Sequence, residues 1–195
     1  MERIVPSTVP LVSCPLDVTG RSEPDTPAAT KLALAATLLV TAAGLAEFLR
    51  RAPAAAIDPR LAGYFLWLFS ALFLVRVAGQ LAVRAWRPRW LPPAQQWNLT
   101  PYRLLLPAQL AILGVMTWVG YAFWSRDGAP VTPAPDVGAG VLAFAGVYAA
   151  AMAVRYVVRM SRRPDQRWLG GTIPIVFHWV LASYLVVFGE YHLSY

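Results

Sequence analysis

Five long runs in which apolar residues follow one another almost without interruption dominate the hydrophobic pattern of this chain: Ala29–Leu49, Leu61–Val83, Tyr102–Ser125, Val137–Met160 and Thr172–Glu190. Each is near the ~20 residues a helix needs to cross a hydrocarbon layer of about 30 Å. Polar or proline-rich segments separate them. Arg87-Pro88-Arg89-Trp90-Leu91-Pro92-Pro93 cannot continue a helix, Gly128–Pro135 reads as a stiff extended connector, and Arg162-Arg163-Pro164-Asp165 ends the fourth run. The pattern predicts an all-α, polytopic membrane protein, a bundle of five transmembrane helices in one domain (residues 26–195), preceded by a flexible tail (residues 1–25).

Three starts carry the same local device: Thr26-Pro27, Asp58-Pro59 and Thr100-Pro101. A side-chain oxygen at the N-cap accepts an otherwise orphaned amide, and proline at the next position lacks an amide that would go unpaired anyway. Thr100 is therefore read as a cap rather than as part of the Asn98-Leu99-Thr100 glycosylation sequon. Pro107 is expected to open the third helix by freeing the carbonyl of Arg103.

Composition agrees with this reading. The chain of 195 residues is 57% hydrophobic and only 14% charged, against about a quarter charged in soluble domains. Its 17 Lys and Arg exceed its 10 Asp and Glu, a net charge of +7, and the excess crowds the ends of the apolar runs. That placement is explained by orientation in a membrane rather than by nucleic acid. Twelve basic residues lie on the side of the amino terminus and four on the other, with Arg76 inside a span. The amino terminus is therefore expected in the cytoplasm and the carboxyl terminus outside, in a bacterial inner membrane or its equivalent. Tryptophans gather at both ends of the spans: Trp86, Trp90, Trp97 and Trp168 at the inner end, Trp118 and Trp124 with Tyr121 at the outer. They read as an aromatic belt. Cys14, the single cysteine, excludes an internal disulfide and a thiolate metal cage. The first 25 residues hold no apolar stretch of signal-peptide length.

The segment from Gln80 through Trp86-Arg87-Pro88-Arg89-Trp90-Leu91-Pro92 resembles the tail of bacterial light-harvesting β polypeptides. The resemblance covers about a dozen residues, at the kind of interfacial Trp/Arg/Pro run that arises in many membrane proteins. Where that family places a pigment-ligating histidine this chain has Gln80, so the resemblance brings no pigment site with it.

Small residues mark two helix faces for close approach: Ala139, Ala143, Gly146, Ala150 and Ala153 on the fourth span, and Ala33, Thr37, Thr41 and Gly44 on the first. Polar residues inside spans are costly and each is a candidate site. Counted from the cytoplasmic ends, Arg76, Gln80, Gln109, Arg155 and His178 all lie about 5–11 Å deep. This layer holds guanidiniums, amides and an imidazole with no carboxylate at its depth, chemistry that attracts a lipid phosphate, a carboxylate or a quinone carbonyl. Gly170-Gly171 would let backbone come close to such a ligand. The competing reading has the arginines reaching out to the interface while Gln and His join helices. His178 and His192 sit 14 residues apart on one helix, which excludes bis-histidine haem within one chain, and no cofactor is identified. At the outer edge Glu47, Glu190 and His192 form a second polar group, in which Glu47 is expected to pair with Arg50 or Arg51.

No nucleophile motif accompanies these groups, and the loops leave no room for a soluble catalytic domain. The expected function is non-enzymatic: an accessory or scaffold subunit binding an anionic lipid or a quinone-like molecule, with membrane lipids and other membrane subunits as partners. A small transporter or carrier is the alternative, followed by a lipid-modifying or haem- or pigment-associated membrane protein.

Overall fold

The computed structural model describes residues 27–52, 56–86, 91, 104–162 and 172–195. Among them lie five long helices, α1 (Ala28–Arg51), α2 (Pro59–Trp86), α3 (Leu105–Ser125), α4 (Pro135–Arg162) and α5 (Ile173–Leu193), and no strand. All five are long and apolar enough to cross a membrane. The tail, Cys14, the Thr26 and Thr100 caps, Gly170-Gly171, and Trp90, Trp97 and Trp168 fall outside the described residues.

The bundle is built on α2 and α5, which pack against each other; α3 leans on α2, α4 on α5, and α1 lies against both central helices. The reason is legible in their burial. On α2, Ala62, Leu66, Phe69, Phe73, Val77, Gln80 and Val83 recur every three to four residues and are all buried, with Phe65 beside them. On α5, Ile173, Val176, Phe177, Val180, Tyr184, Val187 and Tyr191 do the same. These two stripes interlock as the core. The outer helices turn large apolar side chains away from it: Leu32 and Leu39 on α1, and Val147, Val154 and Val157 on α4, are exposed. Such a surface suits an apolar surrounding and not water.

Successive helices alternate in direction. The start of α1, the end of α2 and the start of α5 line one cavity at one end. At the other end the connections meet: the Ile57 amide donates to Ser194 Oγ (3.1 Å), the Tyr195 hydroxyl to the Ile57 carbonyl (3.1 Å), and the Tyr191 hydroxyl to the Val131 carbonyl (2.8 Å). Arg126 reaches Asp58 at 3.1 Å there.

Several local expectations are met and others corrected. Asp58 caps α2 as expected: its Oδ1 accepts the Arg60 amide at 2.9 Å and Pro59 opens the helix. At α1 the device is displaced by one position. Pro27 itself stands at the N-cap, its carbonyl accepting the amides of Thr30 and Lys31, and the helix starts at Ala28. Helix α3 starts at Leu105, not at Tyr102, which puts Pro107 in its first turn, where a missing amide costs nothing. The proline therefore does not open the helix. The Gly128–Pro135 connector is not wholly extended, because Ala129–Val131 forms one 3-10 turn after Arg126 (φ 61°) and Gly128 (φ 95°), both in left-handed conformations.

The small-residue face of α1 is used: Thr41 is buried, and a Cβ at Gly44 would stand 2.9 Å from Leu68 of α2. That of α4 is not. Ala139, Ala143, Gly146, Ala150 and Ala153 all point outward, and nothing lies within 4 Å of a Cβ at Gly146. The buried residues are Gly138 and Ala145, one position away. Alanine and glycine crowd both faces of α4, so size alone does not choose between them. The chosen face is the one from which Tyr148 meets His178 and the Ala149 carbonyl accepts from Trp179 Nε1 at 3.3 Å.

Candidate functional site

Four of the five expected layer residues line one cavity of about 270 Å³: Arg76 from α2, Gln109 from α3, Arg155 from α4 and His178 from α5, joined by Tyr148 of α4. Apolar side chains complete it, among them Phe73, Leu105, Ile112 and Leu181, and no carboxylate is in its lining among the described residues. Gln80, expected in the same layer, is fully buried one turn beyond Arg76 and outside this lining.

Arg76 does not reach for the interface. It is 3% exposed, with Nη1 donating to the Pro174 carbonyl at 3.3 Å and Cζ standing 5.6 Å from the centre of the Phe177 ring. Both partners come from the first turns of α5, so the guanidinium is drawn inward across the α2–α5 interface. Its Nε is buried and has no partner among the described residues. A charge so placed, answered by one long hydrogen bond and a ring face, retains attraction for an anion. Arg155 lines the same cavity but is exposed, at its rim.

His178 is half-buried and its Nδ1 is hydrogen-bonded to the Tyr148 hydroxyl, the two rings meeting edge to face. Phe144 stacks on Tyr148 from the other side. Gln109 is 5% exposed, and its Oε1 is buried without a partner among the described residues. Tyr148 is the member that sequence reasoning misses. A signal exists, since Tyr148 and Arg155 are seven residues apart and share a helix face, but a neutral tyrosine carries no insertion cost that would single it out.

The outer group does not assemble. The Glu47 carboxylate is taken by Arg50 at 2.7 Å and by Arg51, as expected from their spacing. His192 is 2% exposed and packed among Phe123, Phe188 and Tyr191, with the Pro130 carbonyl beside it. Among the described residues no three His, Cys, Asp or Glu side chains come together to hold a metal.

A second cavity, of about 430 Å³, lies between α1, α2 and α5. Small residues of α1 and α2 (Ala29, Ala33, Ala78, Gly79 and Ala82) leave this space, and its lining is almost wholly apolar. The two cavities flank the first turns of α5, one touching Pro174 and His178, the other Ile173 and Phe177. No known protein family, curated protein or solved structure matches this chain.

Proposed function

We propose that this chain is a multi-pass integral protein of a cell membrane, a bacterial inner membrane or its equivalent. Its amino terminus lies in the cytoplasm and its carboxyl terminus outside. It acts without catalysis, as an accessory or scaffold subunit of a larger membrane complex, and holds the head of an anionic lipid or a quinone-like molecule in the polar cavity. The observation that carries this reading is the convergence of Arg76, Gln109, Arg155 and His178 from four helices on one cavity with no carboxylate among its described lining residues. Helices in an apolar surrounding do not collect guanidiniums at one point without a compensating charge or acceptor. The basic residues at the ends of the helices support the orientation. The carrier alternative loses one of its supports, because Pro107 leaves α3 unbroken.

The test is the content of a gently solubilised preparation, read by mass spectrometry of extracted lipid, by absorbance, and by the chains that co-purify. The expected result is an anionic lipid or quinone retained in near-stoichiometric amount, together with partner subunits. A lipid-free monomer with no partner would overturn the reading.

A further inference from the structure

We propose that the polar cavity is specific for a phosphate monoester carried on a lipid, a deduction that rests on the reading of this cavity as an anion site. Tyr148 has one hydrogen-bond partner among the described residues, Nδ1 of His178. That bond occupies Nδ1 and leaves Nε2 as the open nitrogen of the imidazole. Nε2 carries the ring proton, and so donates, in the tautomer that accepts the phenol's proton at Nδ1. Gln109 adds a side-chain amide to the lining. Arg76 and Arg155 are donors only. Among the described residues the lining thus offers two guanidiniums, an amide and an imidazole with no carboxylate, so its only full charges are positive.

Such a lining selects an occupant made of acceptors. A phosphate monoester has three terminal oxygens and close to two negative charges near neutral pH, matching two guanidiniums, an imidazole N–H and an amide. A diester has two such oxygens and one charge. An ammonium-bearing head brings a positive charge that meets two guanidiniums and no carboxylate among the described lining residues. The apolar part of the lining says where the rest of the molecule goes. Helices α3 and α4 flank the cavity but pack on α2 and α5 respectively, and Ile112, Leu105 and Leu181 continue the wall in hydrocarbon. An ester carbon leaving the phosphate meets these side chains, as an acyl-bearing molecule entering sideways would require.

The full chain, purified in detergent and stripped of lipid, is titrated under native mass spectrometry with phosphatidic acid, phosphatidylmethanol and phosphatidylcholine of identical acyl chains. Phosphatidylmethanol differs from phosphatidic acid by one methyl on one phosphate oxygen. Phosphatidic acid is expected to bind about tenfold more tightly than phosphatidylmethanol. In His178→Ala, which removes the imidazole from the lining, that preference shrinks while thermal stability shows whether the bundle survives. The wild-type comparison stands alone if the variant fails to fold. Equal binding of phosphatidic acid and phosphatidylmethanol, both above phosphatidylcholine, overturns the monoester assignment and leaves the anion reading in place. Equal binding of all three overturns both. Displacement of phosphatidic acid by millimolar inorganic phosphate overturns the lipid-borne source.

Discussion

Arg76 shows how a single side chain is held where hydropathy would not put it. A guanidinium near the middle of a membrane helix is unfavourable by about 2.5–3.5 kcal/mol, less towards the ends. Here one hydrogen bond to Pro174 and the face of Phe177 offset part of that cost, and Nε remains without a partner among the described residues. Asp58 is the opposite case, an exposed polar residue at the end of the bundle. It caps α2 through the Arg60 amide and pairs with Arg126 at 3.1 Å, an exposed contact. Asp58→Ala should lower stability by about 0.5–2 kcal/mol, the usual range for a lost cap. Asp58→Asn, which keeps the cap and removes the charge, should lose less than about 1 kcal/mol. Thermal unfolding of both in one detergent decides; equal losses would assign the effect to the ion pair. The contrast explains which residues are legible in the sequence. Depth follows from a fixed rise per residue, so the common level of Arg76, Gln109, Arg155 and His178 can be counted. The direction in which a side chain points depends on tertiary neighbours, and for that reason Gln80 is expected in the cavity and lies outside it.

Helix α4 carries the clearest lesson at the level of elements. Its length and position follow from hydropathy, and the observed Pro135–Arg162 extends the expected Val137–Met160 by two residues at each end. Its packing face does not follow, because glycine and alanine occur on every side. The structure selects the Gly138 face, where backbone contact is so close that an added Cβ would lie 2.8 Å from the Gly189 carbonyl oxygen and from the Leu193 amide. Gly138→Ala should therefore force α4 and α5 apart and destabilise by about 1–3 kcal/mol. Gly146→Ala meets nothing within 4 Å and should be neutral or stabilising by up to about 1 kcal/mol, since alanine has less backbone freedom to lose. Unfolding of the two variants side by side measures the difference. A destabilised Gly146→Ala beside a tolerated Gly138→Ala would mean that α4 packs through its other face. Helix α3 gives the same lesson about boundaries. A proline expected to break the helix sits in its first turn, because the start lies three residues later than hydropathy places it.

For the molecule as a whole, the proposed five crossings carry a consequence that no local detail can alter: they require the termini on opposite sides of the membrane. An alkaline phosphatase fusion should be active only at the carboxyl terminus, and a green fluorescent protein fusion should fluoresce only at the amino terminus. Activity of one reporter at both ends would contradict the orientation. Helix number and the order of polar depths are thus legible along the chain. The arrangement of the helices around α2 and α5 is not, because aromatic and aliphatic residues occupy spans that face the core and spans that face outward alike. What that arrangement creates is the cavity, and the account depends most on Arg76 within it. The most direct measurement is the affinity of the full chain and of its Arg76→Gln variant for phosphatidic acid, with thermal stability recorded on the same samples. A hydrogen bond to a charged group contributes about 1.5–3 kcal/mol, so the variant should bind roughly ten- to a hundredfold more weakly while unfolding at the same temperature or higher. Unchanged affinity at unchanged stability would show that the buried guanidinium is structural and that the cavity is not an anion site.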